Sequence, residues 1–285
     1  MKNKLIITAD DYGMCESVNR AIDACMEARV VLSTNVMTNM ECAEKAASIK
    51  ERFPYVSVGL HYNFTVGKPI SKSDKVRSLI NDEGLFLSYS EIREKCRNST
   101  YDFNEVACEM KAQYERYLEI CGEPDYWNTH ENVHVYPKIY QLFRDVSLDF
   151  GITKMRSNQR VFVPSSNGKN DRSLKWMIAE PIKSIMLNSW QSKSSKLGVS
   201  APDGILVRMS EDDKLNLPYL FKNIKWHNNH TAEMAIHPAT DGDNKYFGEI
   251  TDLRVKEYEC FSSPKVLDIA KDADLELVSF DIIGK

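Results

Sequence analysis

Strand-like and helix-like segments alternate along this chain, and that alternation constrains its fold more than any other feature. The apolar run Leu5–Ala9 reads as a first strand, and Val18, Ala21, Ile22, Cys25 and Met26 then mark one face of a helix. Val30–Thr38 reads as a second strand, Glu41–Phe53 as a helix stopped by Pro54, and Val56–Asn63 as a third strand. Residues 65–100 are irregular and polar, with a short helix near Ser88–Arg97. Phe103–Cys121 is an amphipathic helix ended by Gly122 and Pro124. Tyr126–Val135 follows as a fourth strand, and a helix opened by Pro137 closes at Gly151. Ile152–Arg156 reads as a short strand, and residues 159–203, Ser/Lys-rich at 192–199, as the least regular part. Ile205–Met209, Glu233–His237 and Leu275–Phe280 complete the set. Such alternation predicts parallel strands in one α/β domain, barrel-like, over residues 1–285 with loop insertions. An open doubly wound sheet is the competing architecture. The glycine-rich nucleotide motifs that would argue for it are absent.

A net charge of -4 gives no basic footprint, so nucleic acid is not an expected partner. No stretch approaches the roughly 18 apolar residues of a membrane span. Met-Lys-Asn-Lys runs straight into the first strand without a signal-peptide core. The seven cysteines are scattered and contain no Cys-x-x-Cys pair, which suits reduced thiols in a cytoplasmic protein. Cys25, Cys108 and Cys121 are expected as small core residues on helix faces.

Chemistry enters at the strand ends. Asp10 and Asp11 follow the first strand directly, and Tyr12-Gly13 comes next. Adjacent strand residues point to opposite sides, so both carboxylates reach one site only if the backbone turns sharply there. Gly13 permits such a turn. His61, His130 and His237 likewise end or interrupt strand-like segments, and in a parallel barrel the C-terminal strand ends converge on one face. One carboxylate and two imidazoles can hold a divalent ion while leaving positions open. The second carboxylate can take a proton from an attacking water, and a separate histidine can protonate a leaving amine. The implied class is metal-assisted hydrolysis of an amide or ester. His227 and His230 read as a polar surface turn.

Five segments, in order, resemble the YdjC-like carbohydrate deacetylases, the family of chitooligosaccharide deacetylases. They are Ala9-Asp10-Asp11-Tyr12-Gly13 with Val18-Asn19, then Gly59-Leu60-His61-Tyr62-Asn63-Phe64-Thr65 with Gly67-Lys68-Pro69, then Thr129-His130-Glu131-Asn132-Val133-His134 with Pro137. His237-Pro238-Ala239 and the C-terminal stretch Leu253-Arg254 to Phe280 complete the match. The resemblance implies a distorted TIM-like (β/α) barrel, one divalent metal ion, a homodimer, and removal of acetyl groups from small N-acetylated sugars. Magnesium or zinc is the first expectation for the ion, with manganese or cobalt as alternatives. By motif position Asp11, His61 and His130 would be metal ligands, Asp10 the general base and His237 the general acid. His134 would support the site near the metal or the oxyanion, and Arg156 would orient the base or bind substrate.

The chain departs from the family pattern at two positions. Asn128 stands where the family carries Asp, and Asn132 where it carries the middle His. Loss of a carboxylate at 128 is expected to weaken the orientation of His130 and its hold on metal. Asn132 is expected to change how a substrate hydroxyl or water is held. Two further readings are an amidohydrolase acting on a non-sugar substrate and a catalytically decayed sugar-binding protein. Tyr62, Trp127 and Tyr136 are expected in the core, and the loop 239–248 with Tyr246-Phe247 is expected to fold over the pocket.

Overall fold

The structure, a computed structural model, describes residues 2–98, 100–167, 174–207, 209–226, 230–242, 245–247 and 250–285. Its strands are β1 (Asn3–Tyr12), β2 (Ser33–Val36), β3 (Ser57–Tyr62), β4 (Trp127–Thr129), β5 (Arg160–Phe162), β6 (Gly204–Val207), β7 (Thr231–Ile236) and β8 (Leu275–Leu277). Helices α1 (Glu16–Glu27), α2 (Ile49–Arg52), α3 (Tyr89–Asn98), α4 (Phe103–Cys121) and α5 (Pro137–Asp149) come from the first half. Helices α6 (Leu174–Lys196), α7 (Glu211–Leu215), α8 (Leu217–Asn223), α9 (Thr251–Phe261) and α10 (Lys265–Asp272) come from the second. The strands pair in parallel in the order β4-β3-β2-β1-β7-β6-β5, and β8 pairs with the first residues of β1.

The sheet curls into a distorted barrel. Its closing segment is residues 153–156, which form isolated bridges instead of the short strand expected there. Trp127 N donates to Lys154 O at 3.1 Å and Arg156 N to Trp127 O at 3.1 Å. On the other side Met155 N donates to Ser200 O at 3.0 Å.

Period-two alternation sorts the β1 side chains. Leu5, Ile7 and Ala9 join the large apolar cluster shared with α1, α4 and α5. Ile6 instead joins Tyr126, Val278, Phe280 and Ile283 in a separate cluster that floors the barrel. Tyr126 stacks on Phe280 at 3.8 Å and donates through its hydroxyl to Thr34 O at 2.9 Å. Above this floor the interior turns polar: Asp10, Asn35, His61, Asn128 and Glu233 are all buried.

Several elements differ from the sequence expectation. β4 stops at Thr129, and residues 130–132 form a 3-10 turn because Glu131 and Asn132 both take φ 53°, which a strand cannot continue through. Glu41–Phe53 folds as the 3-10 segment Ala43–Ser48 followed by α2. Most of the region read as irregular is α6, whose Ser/Lys-rich end stays helical to Lys196, two residues before Gly198 at φ 86°. The last strand ends at Leu277, before a 3-10 turn at Phe280–Ile282. Cys108 is exposed, because α4 buries the face carrying Val106, Glu109, Met110, Gln113, Tyr117 and Ile120. Cys25 is buried and Cys121 partly so. Among the described residues no helix is long and apolar enough to cross a membrane.

Gly59 on β3 faces the floor. A Cβ there would meet the Tyr126 ring at 2.7 to 2.9 Å. The ring is held by Phe280 and Thr34, so Gly59→Ala is expected to cost roughly 1–3 kcal/mol by overpacking. A chemical denaturation midpoint unchanged from wild type would show that the floor yields.

Candidate active site

The turn needed to bring both aspartates to one site exists. β1 pairs regularly with β2 up to Ala9, then a bulge shifts the register before Tyr12. Asp11 sits in that bulge with φ 73°, a left-handed conformation that Asp tolerates better than most side chains. Gly13 follows at φ 98° and donates its N–H to Asn19 Oδ1 at 2.7 Å. Gly13 permits a turn, as expected, but Asp11 itself makes the first reversal. Both carboxylates therefore end inside the barrel.

Asp11 is fully buried, and its Oδ1 lies 3.2 Å from His61 Nε2 and 2.9 Å from His130 Nδ1. Its Oδ2 accepts from Arg254 Nη2 at 2.7 Å. The two histidine rings meet edge to face at 5.6 Å. One ligand atom from each of Asp11, His61 and His130 lies within 4.8 Å of the others. Metal bonds of ~2.0–2.2 Å leave ligand atoms roughly 3–3.5 Å apart, so this donor set suits a divalent ion. His61 Nε2 is buried and turned toward Asp11 Oδ1, the oxygen the two histidines share.

Asp10 has a different environment. Arg156 grips it with both ends, Nη1 to Oδ2 at 2.8 Å and Nη2 to Oδ1 at 2.7 Å, while Asn35 Nδ2 donates to Oδ1 at 2.6 Å. The second partner of Arg156 is Glu233, whose Oε1 accepts from Nε at 2.8 Å. His237 Nε2 stands 3.7 Å from Asp10 Oδ2. The backbone N–H of His237 donates to Glu257 Oε2 at 2.6 Å, and Glu257 pairs with Lys214.

Electrostatics follow from these contacts. Burial pushes the Asp10 carboxyl up, but Arg156 and the nearby histidines outweigh it and hold it well below the usual carboxylate range. Asp11 ends low for the same reason, with burial opposed by His130 and Arg254. Burial raises Glu233, and Arg156 offsets this only in part. Burial lowers His130, yet Asp11 carries it above the usual histidine value. His237, partly exposed, is lowered by desolvation despite the two aspartates.

The remaining sequence candidates fall in distinct places. Asn128 meets His61 Nδ1 at 2.5 Å, so the position expected to support His130 supports the other imidazole. His134 sits behind the cluster, with Nδ1 2.6 Å from Thr129 Oγ1 and Nε2 3.1 Å from Asn158 Oδ1. Asn132 is exposed at the cavity mouth. The cavity, about 640 Å³, is bordered by Asp10, His61, His130, Arg156, His237 and Arg254. Tyr246 and Phe247 line it too, and Arg254 lies over the Phe247 ring at 4.7 Å. Residues 243–244 and 248 of that loop lie outside the described residues, as does His227; His230 is exposed. Tyr62 and Trp127 are core residues, and Tyr136 borders a second cavity.

Sequence reasoning missed Asn35, Glu233, Lys214 and Glu257, and gave Arg254 no role. Glu233 carried a readable signal, a carboxylate in the otherwise apolar Ala232–Ile236. Asn35 shares the inward register with Ser33. Lys214 and Glu257 are on helices and look like ordinary surface charges.

The sequence profile described as YdjC-like protein matches residues 4–272. A carbohydrate deacetylase from Danio rerio is 27% identical over 308 aligned residues, covering 98% of this chain and 98% of its own. A chitooligosaccharide deacetylase from Salmonella dublin is 30% identical over 162 residues, 56% of this chain and 62% of its own. A crystal structure from Enterococcus faecalis V583, provisionally described as a cellobiose-phosphate cleavage protein, superposes with a TM-score of 0.74. It shares 22% identity and covers 99% of this chain and 98% of its own, so the likeness concerns the fold.

Burial lowers the His134 pKa from 6.5 to about 4. The unfolded chain therefore binds the extra proton first, and the stability due to neutral His134 is present above pH 6.5 and lost as pH falls toward 4. Wild type should unfold at a higher temperature than His134→Gln at pH 7, with the gap closing across that interval. A gap independent of pH would assign the loss to packing.

Proposed function

The chain belongs to the YdjC-like protein family, and from that membership we propose that it is a metal-dependent hydrolase removing acetyl groups from N-acetylated mono- or oligosaccharides. The observation that carries this reading is the clustering of ligand atoms of Asp11, His61 and His130 beside a cavity that His61, His130, Asp10 and His237 border. The full-length likeness to a carbohydrate deacetylase supports the substrate class. A divalent ion held by Asp11 Oδ1, His61 Nε2 and His130 Nδ1 would polarise the amide carbonyl and acidify a water.

The protein groups then divide the proton transfers. Asp10 accepts the proton of the attacking water, its carboxylate aimed by Arg156 and Asn35. That grip makes Asp10 a weak base at rest. His237, 3.7 Å away, is the adjacent group through which the proton reaches the departing amine nitrogen. Lys214 and Glu257 fix the strand end from which His237 projects. Past Glu131 and Asn132 the cavity borders a second one of about 540 Å³, lined by Arg93, Arg97, Arg160 and Lys183. Its position favours substrates longer than one sugar, and its charge favours an anionic substituent.

Acetate release from N-acetylglucosamine and diacetylchitobiose, neutral and phosphorylated, with Mg, Zn, Mn or Co added, tests the proposal. Asp10→Asn is expected to lower turnover by roughly 10²–10⁴-fold while keeping the metal. Asp11→Ala is expected to lose the metal. Absence of acetate across the panel, or release indifferent to both substitutions, would sink the reading. Ligand binding without release would point to the sugar-binding alternative.

A further inference from the structure

The amide of Asn128 lies between two sets of demands that oppose each other. One of its ends is 2.5 Å from His61 Nδ1. The other faces three N–H donors, Arg156 Nη2 at 2.9 Å, Arg156 Nη1 at 3.2 Å and Asn35 Nδ2 at 2.9 Å. An acceptor on that side, Asp10 Oδ1, is 3.4 Å away and already takes Arg156 and Asn35. The amide oxygen therefore belongs on the Arg156 side, since an NH₂ group there would face a guanidinium. The NH₂ group then donates to His61 Nδ1. That nitrogen must be bare, so the proton of neutral His61 sits on Nε2, which faces Asp11 Oδ1 at 3.2 Å.

Metal ligation through Nε2 requires the opposite tautomer. Nε2 must be bare, and the proton must move to Nδ1, which then needs an acceptor. Asn128 provides one only by turning its amide over, which strips its oxygen from Arg156 and Asn35. We infer that Asn128 is a positioning residue that couples metal loading to rotation of its own amide, weakening the metal's hold on the site. This rests on the metal-site reading given above. A carboxylate at 128 would accept from His61 on one oxygen and from Arg156 and Asn35 on the other, with no rotation required.

Metal-free protein titrated with Mn²⁺ and followed by electron paramagnetic resonance tests the coupling, with long-range ¹H–¹⁵N correlation reporting the His61 tautomer. Wild type should carry the proton on Nε2 without metal. Asn128→Asp should carry it on Nδ1 already and bind Mn²⁺ at least about tenfold tighter, the effect of one charge-assisted hydrogen bond gained. An Nδ1–H tautomer in metal-free wild type, or no gain in affinity in Asn128→Asp, overturns the inference. Asp11→Ala separates the two readings. If it abolishes Mn²⁺ binding while Asn128→Asp gains nothing, the metal site stands and the coupling fails. If it leaves binding intact, the metal lies elsewhere and both readings fall.

Discussion

The ion pair between Asp10 and Arg156 is the interaction on which the interior of this barrel depends. Parallel barrels usually fill their centre with branched apolar side chains. Here one inward face of β1 runs from Ile6 in the apolar floor to Asp10 in a charged layer. A buried carboxylate is tolerated only when paired and hydrogen-bonded. Arg156 meets that condition by binding both oxygens of Asp10 and one of Glu233. Its backbone N–H meanwhile bonds Trp127 O, part of the segment that closes the barrel between β4 and residue 200. The residue that neutralises the core thus also closes its wall.

A second constraint acts at the rim. Helix α9 sends Arg254 to Asp11 Oδ2 and to the carbonyl of His237, and Glu257, one turn later, to the N–H of His237. Spacing of three places both residues on one helix face. A single helix therefore holds the end of β1 and the end of β7 against each other, and any movement of α9 would shift the proposed ligand and the proposed acid together. The strained φ values near the site, at Asp11, Glu131 and Asn132, lie where such fixed surroundings can hold them.

The fold was largely legible because period-two and helical patterns report burial directly. β1, β3, α1, α4 and α5 lie close to where the apolar residues place them. What failed to show was structure set by backbone sign and by distant partners. The reversal at Glu131 and Asn132 carries no glycine to announce it. The Ser/Lys-rich end of α6 has a loop-like composition, yet it forms helix. At the site, the residues at strand ends were visible because strand ends are visible. Lys214, Arg254 and Glu257 were not, since a helical charge that turns inward looks the same in sequence as one that turns outward.

The two aspartates look equivalent in sequence, and their arginines make them unequal. Arg156 occupies both oxygens of Asp10, which leaves that carboxylate poorly placed to enter a coordination shell. Arg254 occupies only Oδ2 of Asp11, so Oδ1 remains turned toward His61 and His130. The left-handed residue geometry at Asp11 sets this difference, because it rotates one carboxylate away from the Arg156 layer and toward α9. The proposed division of labour within the pair thus rests on one backbone angle and two guanidinium partners. It needs no difference in the chemistry of the carboxylates themselves.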